Sequence, residues 1–468
     1  MLSAPANNWA ANTTISYPGS EQFVNATERW TIYSAPTYSA AISPGTEEDA
    51  RKVVKLAVKS NVSFLATGGR HGYTTTLGRM QDGLAIDMSK FKSVVVNKAA
   101  KTLTIGAGVR TGEVIEPLWA AGLQLPTGSA SCPGLVGVTL GGGVGRFMGI
   151  FGLVLDSLVS VRLITAGGQL ITVSRTENAN LFWGLRGAGA NFGVVTSATF
   201  KVYPLINGGN LLSAEMVFPA SQSAAYFNLV ESYNGRLPKE LAGITIVSWD
   251  AASNSTVVQV NWVYAGPEAA GRAAMAPFIA LNPPILYVNV VPWNLLIATA
   301  GGGGVDKAVC QDNIPRDLYS LNLRRFHAPT YISSFAKMDA FFQQNPGGRS
   351  SILQFEFFPN QAVIAVPAND TAYPWRDTVG YMNPNMLWTP GDEPAQRAAQ
   401  AVGQELRRDL AATSAYPELT VFLNYARGDE TKEQIYSKCK LPRLAALKKK
   451  WDPTNAFGFN NPVPMRYP

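Results

Sequence analysis

Ten residues decide how this chain folds: Phe64-Leu65-Ala66-Thr67-Gly68-Gly69-Arg70-His71-Gly72-Tyr73. The apolar start predicts a strand over 64–66 that leads directly into a glycine-rich turn. Glycine permits positive φ and close approach of a ligand, so consecutive N–H groups of such a turn suit a diphosphate. The alternative is a tight structural turn with no ligand. His71 favours the ligand, because it is one of only two histidines in the chain.

A second glycine-rich stretch, residues 128–145, reads GSASCPGLVGVTLGGGVG. A Rossmann-type dinucleotide site over residues 141–145 would need a following helix with the expected pattern and a ribose-binding acid, and neither follows. A Rossmann-type site is therefore not expected there.

Residues 67–73 resemble the diphosphate loop of the berberine bridge enzyme-like FAD-linked oxidases. These belong to the wider family that includes vanillyl-alcohol oxidase and p-cresol methylhydroxylase. In that family the matching histidine is bonded covalently to a methyl group of the isoalloxazine, so the resemblance implies FAD attached through His71. The family usually has a third glycine where this chain has Arg70, which predicts an added cation beside the diphosphate.

Some family members bond the flavin a second time, through the cysteine of a Gly-x-Cys element. The matching residues here are Gly128-Ser129-Ala130, and Ala130 cannot form that bond. Cys132 lies two residues further on and is the alternative. The expected arrangement is a single tether through His71.

Two further segments carry the resemblance. Residues 180–196 resemble the family's Leu-Phe-Trp, Arg-Gly and Asn-Phe-Gly-Val-Val signature, whose Gly-Val-Val backbone contacts the flavin. Asn424-Tyr425 and residues 451–457 resemble its closing elements. The residues expected to bind the cofactor are Thr67, Gly68, Gly69, Arg70, His71, Gly72, Gly128, Ser129, Cys132, Gly137, Gly141, Gly142, Gly143, Gly145, Gly193, Val194, Val195 and Asn460.

The resemblance implies an α+β fold in which a two-part flavin-binding domain of the vanillyl-alcohol oxidase type joins a substrate domain with an antiparallel sheet backed by helices. The predicted domains are residues 1–204, residues 205–420, and a C-terminal segment, 421–468, that returns to the first domain.

Local sequence patterns predict several elements. A capped amphipathic helix is expected over 46–60, because apolar residues recur at helical spacing after a capping threonine. The remaining predictions are an extended arm over 1–35, a hairpin over 158–165 and 170–173, strands that include 351–358 and 362–366, and a helix over 395–412.

Composition excludes several classes of protein. The net charge of +7 is spread thinly apart from residues 448–450, which predicts a solvated basic surface and no nucleic-acid partner. The sequence contains no uninterrupted run of about 18 apolar residues, so it predicts no membrane span. Two histidines are too few for a typical zinc site or a Ser-His-Asp triad, so no metal is expected.

Five Asn-x-Ser/Thr sequons predict a secreted or secretory-pathway glycoprotein supplied without its signal peptide. The chain has three cysteines, so at most one internal disulfide can form, and a Cys310–Cys439 pair is expected. The five sequon asparagines are Asn12, Asn25, Asn61, Asn254 and Asn369.

The proton-transfer group is harder to find. Berberine bridge enzyme carries a catalytic glutamate in the region that matches residues 375–382, and that position falls on or beside Met382. Carbohydrate oxidases of the family use a tyrosine activated by an aspartate, which implies Tyr425 with Asp377 or Asp429 as its partner. The other interpretation of Tyr425 is a buried tyrosine bonded to backbone.

Glu356 is a second candidate, because it interrupts an apolar strand. A carboxyl group among aromatic side chains would have a raised pKa and could exchange a proton near neutrality. The alternative is a solvent-facing residue on an edge strand.

The leading hypothesis is an FAD-dependent oxidase of a mid-sized organic molecule, such as a secondary metabolite, with molecular oxygen as acceptor. A carbohydrate oxidase and a redox-neutral isomerase or cyclase acting by proton transfer are the alternatives. Nothing in the sequence favours a non-catalytic binding protein.

Overall fold

A four-stranded sheet forms the first layer of the computed structural model, which describes Leu2 and residues 7–468. Its order is β1-β2-β4-β3, with three parallel strands and β1 antiparallel at one edge. Helix α2 packs on this sheet and begins where Thr46 accepts a hydrogen bond from the N–H of Asp49. The elements are β1 (Thr14–Ser16), α1 (Glu21–Thr27), β2 (Tyr38–Ser43), α2 (Glu47–Lys59), β3 (Phe64–Thr67) and β4 (Gly83–Asp87).

A five-stranded antiparallel sheet follows, in the order β5-β6-β10-β8-β9, and the short strands β7 and β11 pair beside it. The predicted hairpin is β8 with β9. The elements are β5 (Val94–Asn97), β6 (Thr102–Gly106), α3 (Ile115–Ala120), β7 (Leu123–Gln124), α4 (Leu135–Gly141), α5 (Met148–Phe151), β8 (Leu158–Ile164), β9 (Leu170–Ser174), α6 (Ala179–Ala188), β10 (Val194–Lys201) and β11 (Tyr203–Pro204).

The third sheet has eight antiparallel strands in the order β15-β12-β14-β13-β18-β19-β16, with β17 also paired to β19. Helices cover one face of this sheet. The elements are β12 (Asn210–Pro219), α7 (Ser223–Glu231), β13 (Leu241–Asp250), β14 (Ser255–Tyr264), α8 (Glu268–Ile279), β15 (Ile285–Pro292), α9 (Leu296–Thr299), α10 (Gly304–Val309), β16 (Arg316–Leu318), β17 (Leu321–Leu323), α11 (Ala328–Gln344), β18 (Ile352–Phe357), α12 (Gln361–Ile364), β19 (Gly380–Leu387) and α13 (Glu393–Ala412).

The end of the chain packs into the core of the second sheet. Helices α14 (Lys432–Tyr436) and α15 (Leu441–Trp451) contribute apolar side chains to a cluster that also holds residues of β6, β8 and β10. The α+β class is therefore confirmed, and the last residues do return to an earlier part of the molecule. The domain limits 1–204, 205–420 and 421–468 stay a prediction.

Two local predictions were wrong. Residues 362–366 do not form a strand, because α12 occupies this region. The arm over 1–35 contains β1 and α1, since Ile15 continues a sheet and Ser20 caps a helix. Met1 and residues 3–6 of that predicted arm lie outside the described residues. Within the described part of the chain, no helix is long and apolar enough to cross a membrane.

The basic run 448–450 is not uniformly solvated. Lys448 is fully buried, and its ammonium group donates to Asp452 at 2.7 Å and to the carbonyl oxygens of Asn191 and Phe457. Asp452 also accepts from the backbone N–H groups of Ala456 and Phe457. This ion pair therefore holds the closing segment against the turn that precedes β10.

We expect Lys448→Met to lower the free energy of unfolding by about 3–5 kcal/mol, because Asp452 would keep a buried charge without its counter-ion. Chemical denaturation followed by tryptophan fluorescence measures the change. Lys449→Met is the matched control, since Lys449 is exposed in the same helix. Equal stability of the two variants would contradict this assignment.

Candidate active site

A cavity of about 750 Å³ runs from the first two sheets to the uncovered face of the eight-stranded sheet. This volume is typical of cofactor and substrate sites. One end is lined by the loop after β3, and the other by alternate residues of β13, β18 and β19.

Close packing of two glycine loops forms the floor of the cavity. A Cβ atom on Gly69 would lie 2.3 Å from the backbone nitrogen of Gly134, and one on Gly68 would lie 2.4 Å from the carbonyl oxygen of Ala107. Side chains at these positions would separate the loops. The two glycine-rich stretches identified in the sequence are therefore in direct contact.

Within the described part of the chain, seven polar side chains that line the cavity have a buried atom without a hydrogen-bond partner. Beside the two glycine-rich loops these atoms are the Thr67 hydroxyl, the Tyr73 hydroxyl, the Ser129 hydroxyl and Nε2 of His71. Buried polar groups normally have hydrogen-bond partners. Buried polar atoms that lack partners, beside two loops with accessible backbone groups, therefore fit an elongated polar ligand such as FAD.

Most residues predicted to bind the cofactor line this one cavity. They are Thr67, Gly68, Gly69, Arg70, His71, Gly72, Gly128, Ser129, Gly137, Gly141, Gly143, Gly193, Val194, Val195 and Asn460. Gly142, Gly145 and Cys132 do not line it. A Cβ atom on Gly142 would strike the rings of Phe422 and Tyr373, and one on Gly145 would strike the carbonyl oxygen of Thr127, so both glycines serve packing.

Arg70 does not present a free cation to the cavity, contrary to expectation. Its guanidinium forms an ion pair with Asp87 at 2.8 Å and donates to the carbonyl oxygen of Glu28. Its φ of 55° lies in the left-handed region, where glycine is easily accommodated. This backbone conformation accounts for the glycine that the family usually has there.

Arg29 is a cavity residue that the sequence did not reveal. Its Nη2 donates to the carbonyl oxygen of Gly72 at 2.6 Å, while its buried Nη1 has no partner. Arg29 sits in a segment without a recognisable motif, so no sequence signal distinguished it from other arginines.

His71 lies against the indole of Trp30, with ring centroids 4.2 Å apart and planes inclined by 21°. Burial lowers the pKa of His71 to about 3, and the neighbouring cations Arg316, Arg110 and Arg29 act in the same direction. The imidazole is therefore neutral at physiological pH.

Tyr425 and Glu356 meet at the other end of the cavity. The tyrosine hydroxyl donates to the Glu356 carboxylate, at 3.1 Å from Oε2 and 3.3 Å from Oε1, and Gln354 donates to the same group at 2.9 Å. Strand alternation explains the placement, because Leu353 and Phe355 of β18 face the helices while Gln354 and Glu356 face the cavity.

Glu356 is only 3% exposed and lies on an inner strand between β13 and β19, so the edge-strand alternative was wrong. Burial raises the pKa of Glu356 to about 7, against the opposing effects of Tyr425, Arg146 and Gln354. Burial and the Glu356 carboxylate raise the pKa of Tyr425 well above its usual value. The Glu356 carboxyl group can therefore exchange a proton near neutrality, while Tyr425 keeps its hydroxyl proton.

The two aspartates expected to activate Tyr425 are bound elsewhere. Asp377 is half exposed, lies outside the cavity lining, and pairs with Arg324 and the Tyr416 hydroxyl. Asp429 pairs with Arg407 and Arg427. Neither aspartate therefore bonds Tyr425, and Glu356 occupies the place beside it. A catalytic role for Asp377 stays a prediction.

Cys132 and Cys310 form a disulfide, and Cys439 is free and exposed. The expected Cys310–Cys439 pair was wrong, and Cys132 has no free sulfur for the flavin. Ser131 reinforces the link, because its N–H and hydroxyl donate to the carboxylate of Asp306. The disulfide thus attaches the segment that begins with α10 to the wall of the cavity.

This disulfide predicts a simple thiol count. The denatured, unreduced protein should expose one reactive thiol, from Cys439, and the reduced protein three. Titration with a chromogenic disulfide measures both values, and Cys439→Ser should leave none before reduction. A Cys310–Cys439 peptide in a non-reducing digest would contradict the pairing.

Two family models match the chain. The one described as FAD binding domain matches residues 38–174, and the one described as Berberine and berberine like matches residues 421–464. The first match includes both glycine-rich loops, and the second includes Tyr425. The fold and the cavity thus define an FAD-binding flavoenzyme.

The FAD-linked oxidoreductase fogF of Aspergillus ruber is 46% identical over 463 residues, which cover 98% of this chain and 93% of that protein. The chain belongs to the berberine bridge enzyme-like family of FAD-linked oxidoreductases.

Solved structures show the same fold. The BBE-like 1 protein of Physcomitrella patens matches with a TM-score of 0.84 and 23% identity over 98% of each chain. Glucooligosaccharide oxidase from Acremonium strictum, whose FAD is described as 6-S-cysteinyl and 8α-N1-histidyl, matches with a TM-score of 0.82 and 22% identity over 98% of each chain. The predicted fold of the vanillyl-alcohol oxidase type is thus confirmed.

Proposed function

We propose that this enzyme oxidises a mid-sized organic molecule, such as a secondary metabolite, with molecular oxygen as the final acceptor. The observation that carries the proposal is the buried hydrogen bond between Tyr425 and Glu356 in the cavity that also holds His71. An oxidation of an alcohol or phenol needs a group that takes a proton while the hydride leaves.

Tyr425 is the group that would receive the substrate proton. Its own proton already points at the Glu356 carboxylate, so it can pass that proton on as it accepts another. Gln354 holds one carboxylate oxygen in place. The ionised form of Glu356 is therefore the active form.

Bound FAD supplies the hydride acceptor and the route to oxygen. His71 would tether it, Thr67 and Ser129 have free hydroxyls for it, and the packed glycine loops give it backbone contacts. With Cys132 engaged in a disulfide and alanine at position 130, a tether through His71 alone is supported.

The substrate end of the cavity is mixed in character. Apolar side chains stand on β13, β18 and β19 among amides from the same sheet face, which suits a hydroxylated organic molecule better than a fully polar sugar. The apolar residues are Ile244, Ile246, Trp249, Ile352 and Leu387, and the amides are Gln259, Gln354, Asn383 and Asn385. A carbohydrate substrate remains the alternative.

A redox-neutral isomerisation or cyclisation is the second candidate. The observation that favours it is the pKa of Glu356 near 7, which allows this carboxyl group to donate as well as accept a proton. In that reaction the flavin would shape the site without changing its oxidation state.

We also propose that the protein enters the secretory pathway. The asparagines of all five sequons are exposed, as an oligosaccharide acceptor requires: Asn12, Asn25, Asn61, Asn254 and Asn369. A loss of apparent mass after enzymatic deglycosylation of protein from a eukaryotic host tests the proposal, and an unchanged mass would remove its support.

We expect His71→Ala to abolish flavin fluorescence that survives acid precipitation and denaturing electrophoresis. His327→Ala is the matched control, because the second histidine bonds Thr330 at the start of α11 and does not line the cavity. Fluorescence that persists in His71→Ala would show that the tether lies elsewhere.

The proton-transfer pair predicts both a rate and a pH effect. Tyr425→Phe should lower kcat/KM by about a hundredfold or more, the usual effect of losing a general base. Because Glu356 acts as a carboxylate, wild-type kcat/KM should rise with pH through about 7, and Glu356→Gln should abolish that rise. Tyr373→Phe is the control, since its hydroxyl bonds Tyr381. An unchanged pH profile in Glu356→Gln would refute the pair.

Anaerobic mixing with substrate separates the two candidate functions. An oxidase should lose its oxidised flavin absorbance without oxygen and regain it, with release of peroxide, when oxygen is admitted. Full turnover under nitrogen with the flavin band unchanged would instead establish the redox-neutral reaction.

A further inference from the structure

Two side chains pack against the Trp30 indole at the flavin end of the cavity, and the three together are called the Trp30 stack. The Trp30 indole has the His71 imidazole on one side, at 4.2 Å between ring centroids, and the Arg316 guanidinium at 4.1 Å from its own centroid. All three residues line the cavity. Trp30 and Arg316 are 4% and 3% exposed, so neither belongs to the outer surface.

The stack is held by bonds that do not involve His71. The Trp30 indole N–H donates to the carbonyl oxygen of Val309, and Nη1 of Arg316 donates to the carbonyl oxygen of Trp30 at 3.0 Å. Thr31 also exchanges hydrogen bonds with the backbone of Arg316. The indole is thus held in place by groups other than His71.

The charge of Arg316 is not neutralised by an ion pair. No carboxylate in the described part of the chain lies within 4.0 Å of its guanidinium. Arg29 and Arg110 are the other charged groups that act on His71, and both are also cationic. A proton on the imidazole would therefore face these like charges. The carboxylate of Asp312 acts on Arg316 itself, where it opposes the lowering of the Arg316 pKa by burial.

We propose that Trp30 and Arg316 are positioning residues that promote covalent attachment of the flavin to His71. Trp30 fixes the plane of the imidazole, and Arg316 fixes Trp30 and disfavours an imidazolium. This inference rests on the proposed tether through His71.

The chemistry of attachment shows why a neutral imidazole is needed. A ring nitrogen with a free lone pair forms the bond to the methyl carbon of the isoalloxazine. One hydrogen of the methyl group and the imidazole N–H hydrogen are released as two protons and two electrons, which reduce the flavin. Molecular oxygen then takes up both and leaves as hydrogen peroxide. A protonated imidazole has no lone pair for the first bond.

The test follows acid-stable flavin over time in purified protein saturated with FAD, alongside total bound flavin. We expect Trp30→Leu and Arg316→Gln to bind FAD but to attach it about tenfold to a hundredfold more slowly, the range that follows from a misplaced reacting group. Trp30→Phe and Arg316→Lys should restore much of the rate. Arg443→Gln is the matched control, because Arg443 stacks on Trp183 at 4.0 Å outside the cavity lining.

The pH profile separates positioning from simple packing. Wild-type attachment should be insensitive to pH from 5 to 8, because the pKa of His71 is about 3. In Arg316→Gln the pH below which the attachment rate falls should be higher than in the wild type. In Arg316→Lys it should return toward the wild-type value.

Wild-type rates and an unchanged pH profile in both Trp30→Leu and Arg316→Gln would overturn the proposal. If Trp30→Leu does not fold, the profile of Arg316→Gln decides alone, and an unchanged profile is again the negative result. Absence of acid-stable flavin from the wild type would instead refute the tether itself.

Discussion

The cavity depends on one backbone contact, the approach of Gly69 to Gly134. Neither loop has a side chain at the point of contact, so two separate parts of the chain share one surface of peptide groups. Any Cβ atom would push the loops apart, and the wall that carries His71 would move away from the wall that carries Ser129. The position of His71 relative to Ser129 therefore follows from this contact.

The end of the cavity that holds Tyr425 and Glu356 depends on a different constraint, the burial of one carboxyl group. Glu356 points away from the helix-covered face of an inner strand, and the returning chain covers it with Tyr425. The free-energy cost of burying the charge is what raises the pKa into the useful range. The hydrogen bond from Tyr425 opposes this rise, because it stabilises the carboxylate.

Much of this could be predicted from local sequence. The glycine loops, the capped helix α2 and the strand of Glu356 were all recognisable, because each carries its signal within a few residues. The partner of Tyr425, the Cys132–Cys310 bond and the Trp30 stack were not, since each joins segments far apart in the chain. The position of Arg70 in the sequence predicted a cation beside the cofactor. Its guanidinium instead pairs with Asp87, because the direction of a side chain depends on the backbone conformation as well as on the position.

Residues 421–463 pack into the core of the five-stranded sheet, and this late addition affects how the chain folds during synthesis at the ribosome. Early domains of a growing chain commonly fold before later ones emerge. Here the core around β6, β8 and β10 lacks part of its apolar filling until α14 and α15 have been made. Tyr425 and the buried Lys448–Asp452 pair arrive in the same final segment. A chain that ends before residue 421 would thus lack part of this core and the Tyr425 side of the cavity.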